Sequence, residues 1–227
     1  MVLVVVPAHP CFCMKRLILV LFLFALGRLA PAADLEAGAQ LVPGQNDAAW
    51  MPLFAELGAR RAVASAFTEH RWFPFKKIPV VLKGEMRLSP ELGLSLHYLE
   101  PEQRTVIVDT KGLVLREANG RQREMSADPT SPAATSALLP ILNFDWAKLD
   151  NSFLVYAARD GEAWRLDFVP RDPQLAGTLG RIIARGEGLL MQQLEFRRSA
   201  LQRVEVIIGE SRLGVDFTPA EKQRYFR

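Results

Sequence analysis

Few residues of this 227-residue chain have the types and spacings that catalysis or metal binding requires. His70 and His97 lie in strand-like segments, are not spaced as ligands on one helix, and have no cysteine near them. Such histidines are more often surface or half-buried strand residues than metal ligands. Glu100 and Glu102 flank Pro101 in a polar turn, where solvated carboxylates are ordinary. We therefore expect no catalytic residue, no metal site and no cofactor.

The short motifs of common active sites do not occur either. The sequence contains no G-x-S-x-G nucleophile elbow, no phosphate-binding P-loop, no G-x-G-x-x-G fingerprint and no H-E-x-x-H zinc motif. A hydrolase or an acyltransferase is consequently the weakest of the functional hypotheses, and we expect a protein that is not an enzyme.

The N-terminus indicates export. A short basic region (Met14-Lys15-Arg16) precedes ten apolar residues (Leu17–Leu26) and then the small-residue site Ala30-Pro31-Ala32-Ala33. This order predicts a secretory signal peptide over residues 1–33, cleaved after Ala32 or Ala33, with Met14 a better start than Met1. Ten apolar residues are too few to span a bilayer, so we expect an exported protein rather than an anchored one.

Charge and cysteine content change when that segment is removed. The chain has 28 Lys and Arg against 25 Asp and Glu, but residues 1–32 contain three of the basic residues and no acidic one. The remaining 25 of each sign balance, which gives no case for nucleic-acid binding. Cys11 and Cys13 both precede Met14, so the mature chain has no disulfide and no thiolate metal site.

About 194 residues remain, which is enough for one domain with its own core. Residues 34–46 are polar and contain Pro43 and Gly44, which predicts a flexible leader. Residues 47–227 are then expected to form a single domain, with a linker at residues 126–132.

Alternation of apolar and polar residues predicts a large sheet. In the clearest segment, Leu92, Leu94, Leu96 and Tyr98 alternate with Gly93, Ser95 and His97. Because successive side chains of a strand point to opposite faces, each such strand has one apolar face. Repeated antiparallel segments of this kind are typical of a sheet buried on one side only. About ten or eleven strands are expected along the chain.

Two helical regions accompany the strands, which predicts an α+β fold. Trp50, Leu53, Phe54 and Leu57 form one stripe of an N-terminal amphipathic helix. A helical insertion is expected at residues 131–149, where Pro140 kinks or splits the first helix and a second short helix follows over Phe144–Leu149. Its apolar side chains either fill the apolar face of the sheet as a solid core or form a movable cover over a cavity. The pattern alone favours the solid core, since packing is the default role of apolar residues.

Four short motifs follow one another in a fixed order: Gly84-Glu85-Met86-Arg87-Leu88, Leu94 to Pro101, Thr105 to Asp109, and Trp164-x-Leu166-x-Phe168-x-Pro170. In this order they resemble the periplasmic outer-membrane lipoprotein carrier family, LolA and LolA-like proteins. The likeness extends over roughly residues 48–218. It implies an unclosed antiparallel β half-barrel whose apolar concave face is covered by a mid-chain helical lid.

The resemblance also implies a function. It predicts a monomeric periplasmic carrier that binds acyl chains of lipoproteins or related lipids and passes them from an inner-membrane donor protein to an outer-membrane acceptor protein. Most of the residues expected to line the lipid cavity share one parity on neighbouring strands or belong to the insertion, whereas Phe67 and Trp72 lie on opposite parities of an irregular strand. The expected lining is Phe67, Trp72, Leu82, Met86, Leu96, Tyr98, Val108, Leu115, Leu138, Leu142 and Phe144. Two alternatives remain open: a carrier of the same fold for a different lipid or a polyene intermediate, and a periplasmic sensor or interaction domain with a filled core.

One position departs from the family pattern. The family commonly has an arginine before the turn proline, where it hydrogen-bonds to lid carbonyls and holds the empty cavity shut. Ser89 precedes Pro90 in this chain. A serine cannot supply the fork of charged donors, so position 89 is not expected to hold the lid in the usual way.

Overall fold

The computed structural model describes residues 36–124 and 137–227. In these ranges the fold is a twelve-stranded antiparallel sheet that is not closed into a barrel, accompanied by five helices. The strand order is β1-β8-β9-β10-β11-β12-β2-β3-β4-β5-β6-β7. The strands are β1 (Ala39–Gln40), β2 (Val63–Trp72), β3 (Val80–Ser89), β4 (Gly93–Glu100), β5 (Arg104–Asp109), β6 (Gly112–Glu117), β7 (Gln122–Glu124), β8 (Phe153–Asp160), β9 (Ala163–Pro170), β10 (Arg181–Glu187), β11 (Leu190–Arg197) and β12 (Arg203–Leu213).

The two faces of the sheet follow from the predicted alternation. On β4, Leu94, Leu96 and Tyr98 share the face that carries the main buried cluster, which we call the inner face. His97 pairs with Glu85 of β3 on the opposite, outer face. The prediction of an α+β fold with an unclosed antiparallel sheet is therefore confirmed, with twelve strands in place of ten or eleven.

The helices lie at the ends of the strands and between them. They are α1 (Met51–Gly58), α2 (residues 137–142), α3 (Trp146–Ser152), α4 (Pro173–Leu179) and α5 (Pro219–Tyr225). The predicted N-terminal helix is α1, which buries Leu53, Phe54 and Leu57. The predicted second helix of the insertion is α3, which begins at Trp146 rather than at Phe144. Pro140 lies within α2 and does not split it, and Phe144, between the two helices, has a positive φ of 50°. None of the helices in the described ranges is long and apolar enough to cross a membrane.

Residues 39–42 differ from the predicted flexible leader. Ala39 and Gln40 pair with Ala157 and Tyr156 at the edge of the sheet, and Leu41 is buried in the main cluster. The backbone hydrogen bonds gained along β8 stabilise this segment although its composition is polar. The predicted signal peptide (residues 1–33) and linker (residues 126–132) lie outside the described residues.

The outer face is only partly solvated, because α5 covers its β3–β6 half. The ring of Tyr225 packs 3.5 Å beneath Arg87 and 5.5 Å from the His97 ring, and Arg116 donates to the carbonyl oxygen of Phe226 at 2.9 Å. Burial lowers the pKa of His97. On the other half, carboxylates pair with arginines two residues away along the same strand, as Asp167 does with Arg165.

Asp145 caps α3, and its contribution to stability is expected to depend on pH. Its carboxylate accepts from the backbone N–H of Lys148 at 3.3 Å and pairs with Nζ of Lys148 at 2.8 Å, which lowers its pKa. Because the folded pKa is depressed, this stabilisation is present above the unfolded pKa and is lost as the pH falls through the folded value. Asp145→Ala should cost about 1 kcal/mol at pH 7. Urea unfolding at acidic pH should give wild type and variant nearly equal stabilities, and an equal loss at both pH values would contradict the assignment.

Candidate functional site

An open cavity of about 460 Å³ lies on the inner face, at the end where β2 and β4 finish and β12 begins. Its walls are mostly apolar. Phe196 of β11 and Val204 and Val206 of β12 form one side, Leu96 of β4 another, and Leu179 of α4 closes the rim. The volume is within the range of small-molecule binding sites, roughly 300–1,000 Å³.

Helix α4 reaches this rim because its ends are well defined by local sequence. Asp172 accepts from the backbone N–H of Gln174 at 2.8 Å, and Pro173 occupies the first helical turn. Gly180 ends the helix at φ 69°, a conformation that side chains disfavour. Thr178 and Leu179, immediately before that glycine, both line the cavity.

One polar cluster interrupts the apolar wall. Glu69 of β2 is 3% exposed and points inward between apolar neighbours. Its Oε2 accepts a hydrogen bond of 2.6 Å from the Tyr98 hydroxyl, and its Oε1 accepts from Nε of Arg71. Both partners line the same cavity. The cluster thus places one carboxylate, paired with an arginine, and one guanidinium with several N–H donors in the wall of an apolar pocket.

The electrostatics of the cluster follow from its burial. Burial and the adjacent Glu69 charge both raise the pKa of Tyr98 well above its usual value. Burial alone would lower the pKa of Arg71, but the hydrogen bond and the charge of Glu69 raise it above normal. Tyr98 therefore stays a neutral hydrogen-bond donor and Arg71 a cation at physiological pH, and neither is set up for proton transfer.

Gly84 determines how two aromatic side chains pack on the inner face, where one of them, Tyr98, lines the cavity. Phe67, Gly84 and Tyr98 form one row across β2, β3 and β4. Neighbouring strands lie about 4.8 Å apart, so side chains two strands apart meet only if the residue between them is small. The Phe67 and Tyr98 rings stand perpendicular with centroids 5.3 Å apart above this glycine. An edge-to-face pair of this kind is favourable for aromatic rings.

A match to a known family model determines the family to which the chain belongs. Residues 42–210 match the family model described as outer membrane lipoprotein carrier protein LolA-like.

The chain belongs to this LolA-like family.

Solved structures with similar folds are distant in sequence. A LolA superfamily protein from Nitrosomonas europaea is 6% identical, with 76% of this chain and 96% of that one covered and a TM-score of 0.40. An outer membrane lipoprotein-sorting protein domain from Vibrio parahaemolyticus is 9% identical, with 77% and 96% covered and a TM-score of 0.40. A chain of the Pseudomonas aeruginosa MucA/MucB complex is 14% identical, with 76% and 58% covered and a TM-score of 0.40. No curated protein matches the sequence.

The predicted lining of the LolA-like cavity divides into two groups in the structure. Trp72, Leu96 and Tyr98 line the open cavity. Seven of the others belong to the main buried cluster or pack on it, and these seven do not line the open cavity. Leu115 is half-buried on β6. Those seven are Phe67, Leu82, Met86, Val108, Leu138, Leu142 and Phe144.

The insertion fills the other end of the LolA-like sheet. Ile141 and Leu149 are fully buried, and the ring of Phe144 meets Trp164 of β9 edge-on at 5.9 Å. Phe54 of α1 stacks on Trp146 of α3 at 5.1 Å. This half of the inner face is a packed core, so α2 and α3 do not cover the 460 Å³ cavity.

Ser89 does not occupy a position facing the insertion. It pairs with Gly93 on the outer-face parity, and its Oγ accepts from the backbone N–H of Leu92 at 3.3 Å within the β3–β4 turn. The basic residue beside the insertion is Arg60, whose guanidinium lies 5.9 Å from the Phe144 ring centroid. Burial lowers its pKa to about 10. Within the described residues, its Nε and Nη2 are buried and have no hydrogen-bond partner.

The polar cluster of Glu69 and Arg71 was not predicted from the sequence, although a signal exists. Both residues share the parity of Phe67 on β2, so two charges stand where the alternation requires apolar side chains. His70 and His97 are half-buried on the outer parity of their strands, as expected. In residues 36–124 and 137–227, no group of three or more His, Cys, Asp or Glu could hold a metal ion.

Proposed function

We propose that this protein is a non-enzymatic periplasmic carrier that binds one acyl chain, or a chain-like lipid, in the open cavity. The observation that carries the proposal is the 460 Å³ cavity with apolar walls, reached from solvent at one end of an unclosed LolA-like sheet. Each methylene moved from water into such a pocket contributes about 0.8 kcal/mol, so a short length of chain suffices for useful affinity.

In the cell, the carrier is exported to the periplasm and transfers its cargo between the two membranes. Residues 1–33 serve as a signal peptide and residues 47–227 as the carrier domain, which receives lipid cargo from an inner-membrane donor protein and releases it to an outer-membrane acceptor protein. Glu69, Tyr98 and Arg71 accommodate the polar end or a polar substituent of the cargo. An apolar cavity with one donor-rich wall suits an amphiphile better than a pure hydrocarbon.

Leu96→Glu is the direct test. A carboxylate in the apolar wall must be desolvated when a chain binds, so affinity for a fluorescent fatty acyl probe should fall at least tenfold. Leu99→Glu is the matched control, because Leu99 lies on the same strand, is 41% exposed and faces outward. It should leave probe binding unchanged. Binding is measured by fluorescence titration of the purified mature protein.

Two outcomes would contradict the carrier proposal: undiminished probe binding by a folded Leu96→Glu variant, and an equal loss in both variants. Val204→Trp provides a second route if Leu96→Glu does not fold, because it fills the cavity without adding a charge. Its expected effect is the same loss of probe binding with circular dichroism unchanged.

A sensor or interaction domain is the second candidate function. Its supporting observation is the filled half of the inner face, where residues of α1, α2 and α3 share one buried cluster with residues of β8 and β9. A protein of this kind would take up no probe in its wild-type form, so the same titration separates the two functions.

A further inference from the structure

The loop that joins β2 to β3 exposes large apolar side chains beside the cavity entrance. We call residues 73–79 (Phe-Pro-Phe-Lys-Lys-Ile-Pro) the mouth loop. Phe75 is 80% exposed and Ile78 is 75% exposed, the two highest values among the large apolar residues described. Phe73 at the base of the loop lines the cavity itself and stacks on Phe75 at 5.5 Å. An apolar surface therefore continues from the cavity wall to the tip of the loop.

A second apolar side chain lies at the same end of the sheet. Arg203 opens β12 and pairs with Trp72, the last residue of β2. The β11–β12 turn (residues 198–202) is thus next to the mouth loop, and its Leu201 is 64% exposed. Exposed apolar residues that are scattered singly need no explanation, but a group around one cavity mouth indicates a docking surface.

The charges of the mouth loop itself are positive: Lys76 and Lys77 stand between Phe75 and Ile78, and the loop has no acidic residue. Nζ of Lys76 lies 5.9 Å from the centroid of the Phe73 ring. At the same end of the sheet, the carboxylate of Glu100 pairs with Lys83 at 3.4 Å. The Arg198 guanidinium donates to the backbone oxygen of Thr178, so its charge is not neutralised there. Aromatic and aliphatic tips with adjacent lysines match an anionic bilayer surface, where the apolar groups enter the interface and the cations meet lipid phosphates.

We propose that the mouth loop docks the protein on an anionic lipid bilayer, with Phe75 and Ile78 inserted in the interface and Lys76 and Lys77 on the headgroups. This surface deepens the proposed carrier function on which it rests, because a docked mouth lets an acyl chain pass between bilayer and cavity without crossing water. The expected contacts are transient, since two apolar tips give weak and reversible binding.

Vesicle flotation tests the proposal. The mature protein should float with vesicles of phosphatidylethanolamine and phosphatidylglycerol and much less with phosphatidylcholine alone. A Phe75→Ser/Ile78→Ser variant should bind the anionic vesicles at least tenfold more weakly. Replacing Lys76 and Lys77 with glutamine should lower binding about fivefold per lysine. Leu189→Ser/Leu190→Ser is the matched control, because those residues are also exposed but lie at the opposite end of β11, Leu189 in the turn and Leu190 at the first position of the strand.

A Phe75→Trp variant reports vesicle binding by its fluorescence, without physical separation of bound from free protein. Its emission should shift to the blue on addition of anionic vesicles and be quenched by lipids brominated near the headgroup. Absence of vesicle binding by the wild type, or equal losses in the loop variant and the control, would overturn the proposal. Concentration-dependent self-association that disappears in the Phe75→Ser/Ile78→Ser variant, without vesicle binding, would overturn it in favour of a protein interface.

The same variants keep this proposal distinct from the carrier function. Titration with the fluorescent acyl probe in the absence of vesicles should be unchanged in Phe75→Ser/Ile78→Ser. Intact vesicle docking with no probe uptake would instead retain the docking surface and reject the carrier.

Discussion

Glu69→Ala is expected to destabilise the protein by about 3 kcal/mol, far more than the loss of a carboxylate from the sheet surface. Glu69 is 3% exposed and is the acceptor for both Tyr98 and Arg71. Its removal leaves a cation and a hydroxyl without their acceptor in a largely apolar wall. Arg71 is one-third exposed toward the open cavity, which keeps the cost at the lower end of the range for a broken buried pair.

Urea unfolding followed by tryptophan fluorescence measures this effect, with Glu205→Ala as the control. Glu205 lies opposite His70 on the outer face and pairs with Arg203 at 2.6 Å, but it is 18% exposed. Its loss should cost less than about 1 kcal/mol. Equal costs for the two variants would mean that the inner cluster is solvated like a surface pair.

The same cluster can be tested for its role in binding. Glu69→Leu combined with Arg71→Met replaces the ion pair with apolar groups and should recover most of the stability lost in Glu69→Ala. A purely apolar probe should then bind more tightly, and a probe with a polar end more weakly. Identical changes in affinity for both probes would mean that the polar cluster does not select between cargoes.

Gly84→Val should strongly disrupt the inner face, with a cost of about 3 kcal/mol or more. A Cβ atom at this position would lie 2.3 Å from the carbonyl oxygen of His97 and 2.8 Å from the Phe67 ring. The backbone of β4 cannot yield to it without loss of the β3–β4 ladder, and the Phe67–Tyr98 contact would separate. Thermal unfolding should show a large drop in Tm, accompanied by loss of acyl-probe binding.

Gly177→Ala is the matched control for that substitution. Gly177 lies within α4, and a Cβ there meets nothing within 4 Å. Alanine should stabilise the helix by about 0.5–1 kcal/mol because glycine loses more backbone entropy on folding. A tolerated Gly84→Val, with Tm near that of the wild type, would show that β3 and β4 can separate more easily than their packing indicates.

Much of the sheet is determined by local sequence. Alternation along a strand fixes which side chains share a face, whatever the neighbouring strand is, and Leu94, Leu96 and Tyr98 lie together as that period requires. The stripe that contains Leu53, Phe54 and Leu57 fixes α1 in the same way. Even α5, which the alternation does not predict, has a local signature in the capping box of Thr218 and Glu221, with Pro219 in the first turn.

The site itself depends on pairings that are remote in sequence. Tyr98 reaches Glu69 only because β4 lies two strands from β2 in a register that puts Gly84 between Phe67 and Tyr98. Alternation cannot specify that register, since it is the same for every shift of two residues. In the strand pattern alone, Glu69 is a charged residue at a position where the alternation predicts an apolar one. Its presence is explained only by Tyr98 and Arg71, which donate hydrogen bonds to its carboxylate in the folded protein.

Tertiary packing also decided which half of the inner face is filled and which is open. The sequence identifies Leu138, Leu142 and Phe144 as apolar and helical, but not the strands on which they pack. In the structure they lie on the packed core near β9 and α1, and α4 borders the cavity instead. Hydrophobic burial is proportional to area and has no direction, so a sequence can specify that a face is buried but only the folded chain selects what covers it.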